Sequence, residues 1–156
     1  QQFSTDDLLD EVLQDLNELV KESDVTIKRG KLPDIMGDKG QIRQLFQNLI
    51  ANSIKFRGQT TPVVAINSKR LPGYWFFSIC DNGIGIEEQY RERIFEIFQR
   101  LHGREKYGGT GIGLAIAKRI VERHGGEISV TDSPLKGVCF NFTIKLNINF
   151  NQTEES

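Results

Sequence analysis

The chain has little of several things, and each shortage narrows what it can be. Among its 156 residues are two cysteines, and no Cys/His spacing suits a metal-ligand set. Cys80 and Cys139 each lie in an apolar, strand-like run. They are expected as buried free thiols in a reducing compartment. Neither sign of charge is in excess. Twenty Lys and Arg against 21 Asp and Glu leave a formal net charge of −1, which argues against a nucleic-acid surface. No apolar run nears the roughly 20 residues of a membrane span, and no signal peptide is visible. Repeats and low-complexity segments are absent as well. What remains is a soluble cytoplasmic domain, with room for membrane segments outside it.

The elements that are present follow from hydrophobic spacing. Ser4-Thr5-Asp6-Asp7 predicts a helix start, with Leu8, Leu9, Val12, Leu16, Leu19 and Val20 recurring at helical intervals. Val25 to Arg29 is a strand, and Asp38 caps a helix over Gln41 to Phe56. Val63 to Ser68 and Tyr74 to Cys80 are strands joined by a turn at Leu71-Pro72-Gly73. Glu87 to Phe98 is expected as a helix, Gln99 to Tyr107 as a mobile loop, and Leu114 to His124 as a helix ended by Gly125-Gly126. Glu127 to Thr131 and the alternating Phe140, Phe142, Ile144, Leu146 and Ile148 are strands, the latter with one buried and one wet face. The sum is an α+β sandwich: a mixed, mostly antiparallel sheet with helices on one face. Residues 1 to 150 form one domain, and Asn151 to Ser156 a frayed tail.

Three segments carry chemistry. On the Gln41 to Phe56 helix, Gln44, Lys55, Asn48, Gln41 and Asn52 share a polar stripe opposite Ile42, Leu45, Phe46, Leu49, Ile50 and Ile54. Alone, this reads as a solvated face. Two asparagines four apart argue otherwise, because they are poor helix formers. An Asn carbonyl suits Mg²⁺ that is compensated mainly by phosphates, and Lys55 supplies a point charge. Asp81 leaves a strand and is followed by Asn82-Gly83-Ile84-Gly85-Ile86. Its carboxylate suits an exocyclic amine such as adenine N6, although Asp-Asn-Gly is also an ordinary turn. Gly108-Gly109-Thr110-Gly111-Ile112-Gly113-Leu114 opens a helix, so bare N–H groups can face an anion. It has neither the lysine of a Walker loop nor a strand directly before it. The preceding segment carries Arg100, Arg104 and Lys106 and is expected to close over a triphosphate.

Four motifs in order resemble the ATP-binding catalytic domain of sensor histidine kinases, on the phytochrome-like and hybrid branch. That family shares the Bergerat-type fold with gyrase, the mismatch-repair ATPase and the heat-shock chaperone. The motifs are Asn48 to Phe56, Asp81 to Ile86, Ile94-Phe95-Glu96-Ile97-Phe98, and Gly109 to Leu114. The match covers roughly residues 8 to 146. The resemblance implies ATP and Mg²⁺ as ligands. It implies Asn52 as the Mg²⁺ ligand, Lys55 and Arg100 at the phosphates, Phe56 against the base and Asp81 at adenine N6. Gly83, Gly85 and Ile86 would shape the base pocket. Phe95 and Phe98 would anchor the lid, and Thr110, Gly111, Ile112, Gly113 and Leu114 would form the phosphate side.

Two departures stand out. Leu135-Lys136-Gly137-Val138 replaces a Gly-x-Gly-Ser/Thr pattern, which puts a hydroxyl contact near adenine in question, and Asn52-Ser53 replaces Asn-Ala. Asn48 occupies the place where hydrolytic relatives carry a water-activating Glu, so hydrolysis should be poor. Neither His102 nor His124 has the acidic neighbour of a phospho-acceptor. His102 reads as a lid surface residue and His124 as a helix-end residue favourable to the dipole. The expectation is therefore an excised catalytic domain, monomeric, with Gln1 to Phe3 as a linker stub. It would transfer the ATP γ-phosphate to a histidine on a separate dimerisation domain, and act on a response-regulator receiver indirectly. The full-length protein would be a homodimer, and the domain the cytoplasmic part of a sensor. The alternatives are a hydrolase or ATP-driven switch of the same fold, and a degenerate nucleotide-binding regulator.

Overall fold

The structure, a computed structural model, describes residues 1–96 and 111–146. Helix α1 (Thr5–Asp15) starts where the Ser4 side chain accepts the Asp7 N–H at 3.1 Å, as a hydroxyl cap should. The single apolar stripe predicted here is divided at Leu16, which ends α1 and begins α2 (Asn17–Ser23). Asp24, at φ 58°, stops α2. Two short strands were not foreseen: β1 (Gln2–Ser4) and β3 (Asp34–Met36) pair antiparallel. Gln1 to Phe3 is thus part of the fold rather than a free linker, because Phe3 is buried opposite Ile35.

The main sheet has the order β2-β4-β5-β7-β6. Its strands are β2 (Thr26–Arg29), β4 (Val63–Leu71), β5 (Tyr74–Asp81), β6 (Ile128–Asp132) and β7 (Val138–Lys145). Only β2 and β4 run parallel; the other neighbours are antiparallel. β4 and β5 turn at Pro72-Gly73. Helices α3 (Lys39–Lys55) and α4 (Gly111–Arg123) form the second layer. Asp38 caps α3 by accepting the Gln41 N–H at 3.0 Å. Phe46 of α3 meets Phe77 and Phe142 edge-on, with ring centroids 5.8 and 5.7 Å away. Those two rings stack on each other at 5.1 Å. Such pairs add roughly 0.5–1.5 kcal/mol beyond area burial, and they lock α3 onto the middle of the sheet. None of the described helices is long and apolar enough to cross a membrane.

Three expectations change. Over the described part of Glu87 to Phe98 there is no continuous helix, only 3₁₀ turns at Glu88–Tyr90 and Arg93–Phe95. The first half of that stretch offers Tyr90 alone as an apolar anchor, too little to hold a helical stripe. The second face of β7 is wet only toward its end: Cys139 and Asn141 are buried, Thr143 is half-buried and Lys145 is exposed. Asn141 Nδ2 donates to Thr131 Oγ1 at 2.9 Å. Finally, Cys80 and Cys139 are not free thiols but a disulfide. They stand directly opposite in the β5–β7 register, one residue out of step with the core-facing side chains, so both sulfurs project to the same outer face. The disulfide removes the argument for a reducing compartment. Ile148 and the tail Asn151 to Ser156 lie outside the described residues.

Candidate nucleotide site

Asp81 sits at the last position of β5 and is 4% exposed. Its Oδ1 accepts the Gly83 N–H at 2.9 Å and the Val138 N–H at 3.2 Å. Burial pushes its pKa up, against the pull of those two N–H groups and of the Ser53 hydroxyl. Among the described residues no cation pairs with it. A buried carboxylate without a cation is poor for stability and is the kind of group that functional sites retain.

The loop after Asp81 is fixed to the end of α3. Ile84 N–H donates to the Phe56 carbonyl at 3.0 Å. A Cβ on Gly83 would stand 2.3 Å from that same oxygen, so only glycine permits the approach. Gly85 has φ +78°. Phe56 and Ile86 are half-buried beside this loop, and Ile84 is exposed. Asn82 is structural: its Oδ1 accepts the Val63 N–H at 2.9 Å and its Nδ2 donates to the Thr61 carbonyl at 3.0 Å.

On α3 the predicted polar stripe is only partly exposed. Gln44 and Lys55 face solvent and Gln41 and Asn48 are half-buried, but Asn52 is 2% exposed. Its Oδ1 has no hydrogen-bond partner among the described residues. A buried acceptor of this kind normally finds a donor or a cation. A neutral amide oxygen fits Mg²⁺ as one ligand of several. Among the described residues no group of three or more His, Cys, Asp or Glu gathers as a protein metal cage, so such an ion would rely on phosphate and water. One turn earlier, Asn48 Nδ2 donates to the Gly113 carbonyl at 3.1 Å, tying α3 to the first turn of α4. Among the described residues, the atoms nearest to a Cβ on Gly113 would be those of the Asn48 side chain, at 3.7 Å, an ordinary contact.

Residues 37–148, which hold all of this geometry, match the family described as histidine kinase-, DNA gyrase B-, and HSP90-like ATPases. The chain belongs to this ATPase family. It is 46% identical over 140 residues to the phytochrome-like protein Cph1 of Synechocystis sp. (strain PCC 6803), covering 90% of this chain and 19% of that protein. It is 49% identical over 136 residues to cyanobacterial phytochrome A of Nostoc sp. (strain PCC 7120), covering 87% and 18%. The chain thus spans about a fifth of the length of these relatives. Among solved structures it resembles the nucleotide-free catalytic domain of histidine kinase ThkA, with TM-score 0.80, 27% identity, and coverage of 93% and 94%. It also resembles full-length ShkA in complex with AMPPNP, with TM-score 0.76, 28% identity, and coverage of 92% and 30%. The chain is an ATP-binding catalytic domain of the histidine-kinase type.

For this ATPase domain the structure brings Asn48, Asn52, Phe56, Asp81, Gly83 and Gly113 to one side of α3. Leu114 is instead buried in the core, 5% exposed. Phe98, Arg100, His102, Thr110 and the expected lid from Gln99 to Tyr107 lie outside the described residues. His124 differs from expectation. It is fully buried, and burial pushes its pKa down. Nδ1 lies 2.7 Å from the Ile120 carbonyl, and Nε2 accepts the Asp38 N–H at 3.1 Å. It is a neutral bridge between the end of α4 and the start of α3, not a cation at a helix terminus. Sequence reasoning passed over Gly137 and the donor role of Val138. Gly137 N–H donates to the Asp81 carbonyl at 3.1 Å, so the backbone of the departing Leu135 to Val138 turn holds Asp81 without a side-chain hydroxyl. The signal was the glycine kept just before the last strand.

Proposed function

We propose that this domain binds Mg-ATP along α3 and presents the γ-phosphate to a histidine on a separate dimerisation domain. The observation that carries the reading is the unpartnered, buried Asn52 Oδ1. It lies on α3 between Asn48, tied to the α4 turn, and Phe56, tied to the Asp81 loop. Asp81 accepts from the adenine 6-amino group, while Phe56 and Ile86 flank the base. Lys55 and the first N–H groups of α4, from Gly111, Ile112 and Gly113, meet the phosphates. Arg100, Phe98 and Thr110 are assigned on the resemblance alone. Magnesium held at Asn52 would neutralise phosphate charge when bound.

Asn48 supports transfer over hydrolysis. Its amide holds the Gly113 carbonyl and cannot accept a proton from water at neutral pH. His124 has both ring nitrogens engaged, so it is unsuited to receive phosphate. His102 lacks the acidic neighbour of an acceptor histidine; on this reading the nucleophilic imidazole is external, and the domain acts by positioning and charge neutralisation. The setting is cytoplasmic, where ATP is available, and a response-regulator receiver takes the phosphate afterwards. The test is incubation with γ-labelled ATP, with and without a His-bearing dimerisation domain supplied in trans. Acid-labile label should appear on that domain only. Rapid phosphate release by the chain alone would favour the hydrolase.

A further inference from the structure

The disulfide between Cys80 and Cys139 is the last rung of the β5–β7 ladder. Asp81 follows Cys80 directly, and Val138 precedes Cys139. Val138 donates its N–H to Asp81 Oδ1 at 3.2 Å, and Gly137 donates to the Asp81 carbonyl at 3.1 Å. Neighbouring residues of a strand point to opposite faces. The disulfide therefore clasps the two strands from the outer face, beside the two bonds that fasten the turn to Asp81. A bridge that serves only as a staple belongs to an oxidising compartment. A domain that uses ATP in the cytoplasm works among thiol reductants, where a disulfide is ordinarily transient and either catalytic or redox-sensing.

We propose that Cys80–Cys139 is a reversible thiol–disulfide exchange site, with a dithiol reductant as its reaction partner, and that its state sets the affinity for nucleotide. The proposal rests on the reading of Asp81 as part of the nucleotide site. Cys80 is the more exposed of the two, 9% against 5%, so attack falls on Cys80. A thiolate of the reductant bonds to Cys80 Sγ, the Cys80–Cys139 bond breaks, and its electron pair leaves on Cys139 Sγ, which takes up a proton. The second thiol of the reductant then displaces Cys80, which leaves as a thiol. The chain gains two electrons and two protons, and the reductant departs as a disulfide. Without the clasp, the last rung is held by non-covalent contacts alone. The turn from Ser133 to Gly137 is freer, and its two N–H groups hold Asp81 less closely. The oxidised chain is the tight-binding form.

The experiment equilibrates the chain with mixtures of reduced and oxidised dithiothreitol, with and without Mg-ATP, and counts free thiols by alkylation after an acid quench. Calorimetry measures the ATP affinity of the fully oxidised and fully reduced chain, and thermal unfolding checks that both are folded. Free thiols should rise from none to both cysteines as the mixture becomes more reducing. Reduction should weaken ATP binding roughly fivefold or more, and ATP should favour the disulfide by the same factor, because coupling between two sites is reciprocal. The double variant Cys80→Ser, Cys139→Ser should bind ATP like the reduced chain in every mixture. A pair that stays oxidised or stays reduced throughout overturns the proposal, as does a reduced chain that unfolds. Full interconversion with equal ATP affinity in both forms overturns it too, and leaves the nucleotide site standing. If neither form binds ATP, the Asp81 reading fails and this proposal falls with it.

Discussion

Gly137→Ala should disable the base site from a residue that needs no contact with nucleotide. A Cβ at this position would stand 2.0 Å from Asp81 Oδ1, 2.6 Å from the Asp81 carbonyl oxygen and 2.6 Å from the Gly83 nitrogen. Two of these three atoms are backbone, so turning the Asp81 side chain cannot relieve the clash. Ordinary contact lies at about 3.5 Å, and the turn must move away from β5 by more than an ångström. That movement breaks the Gly137 N–H bond to the Asp81 carbonyl and the Val138 N–H bond to Oδ1. The first is a neutral bond of about 1 kcal/mol and the second, to a carboxylate, about 1.5–3 kcal/mol. The fold should lose roughly 3 kcal/mol, or about 6–12 °C in melting temperature for a chain of this size. ATP affinity should fall on the order of tenfold or more, because Asp81 loses a donor that orients it. Thermal unfolding and calorimetric titration read the two effects. Gly40→Ala is the control: its Cβ would meet only Asp38 Oδ1, at 3.5 Å, and it should leave stability unchanged or raise it. A Gly137→Ala chain that melts and binds ATP like the unmutated one would refute the close approach of this turn to Asp81.

Asp81→Asn should separate binding from stability. Burial raises the Asp81 pKa, so its favourable contribution is present below the unfolded value of 3.8 and is lost as pH rises through the folded value. At pH 7 the neutral isostere should therefore melt at the same temperature or higher, yet bind ATP about 1–3 kcal/mol more weakly; calorimetry beside a melting curve checks both. Gly113→Ala should melt normally, since its Cβ would find ordinary contact at 3.7 Å, while nucleotide affinity falls because the methyl group blocks anion approach to α4. A normal titration with ATP would remove Gly113 from the phosphate side. His124 has its pKa pushed below 6.5 by burial, with Asp38 opposing the shift and Arg123 adding to it. Its contribution is complete above pH 6.5 and is lost as pH falls through the folded value, so denaturant unfolding should show stability dropping from pH 7.5 toward 5. His124→Asn, uncharged throughout, should be less stable at pH 7.5 and lack most of that acid slope.

What the sequence made legible was whatever rests on local periodicity and capping. The Asp38 cap, the Pro72-Gly73 turn and the alternating β7 residues are local signals, and the sheet follows from them. Features decided by distant partners were hidden. Cys80 and Cys139 are 59 residues apart, and an apolar setting predicts a buried thiol as readily as a bonded pair. Asn52 lies at the edge of a polar stripe in sequence, yet it is buried, between Asn48, which bonds α4, and Phe56, which bonds the Asp81 loop. His124 reads as a helix-end cation until the Asp38 N–H is found at its Nε2. In each case the missing information is which segment covers the residue, and spacing within one segment does not contain it.

The site depends on α3 more than on either glycine loop. Asn48, Asn52 and Phe56 recur at intervals of four and so share a face. Each plays a different part: Asn48 donates to the Gly113 carbonyl, Asn52 Oδ1 is a buried acceptor without a hydrogen-bond partner among the described residues, and Phe56, through its carbonyl, accepts the Ile84 N–H. Eight residues of helix span about 12 Å, comparable to the distance from the base to the outer phosphates of an extended nucleoside triphosphate. A rigid helix, held to the sheet by Phe46 against Phe77 and Phe142, sets that distance better than loops alone. The glycine loops then need only approach α3 closely. At Gly83 that approach is enforced by a 2.3 Å limit against Phe56; at Gly113 a Cβ would find ordinary contact with Asn48 at 3.7 Å among the described residues, and on the proposed reading it is the phosphate that calls for glycine.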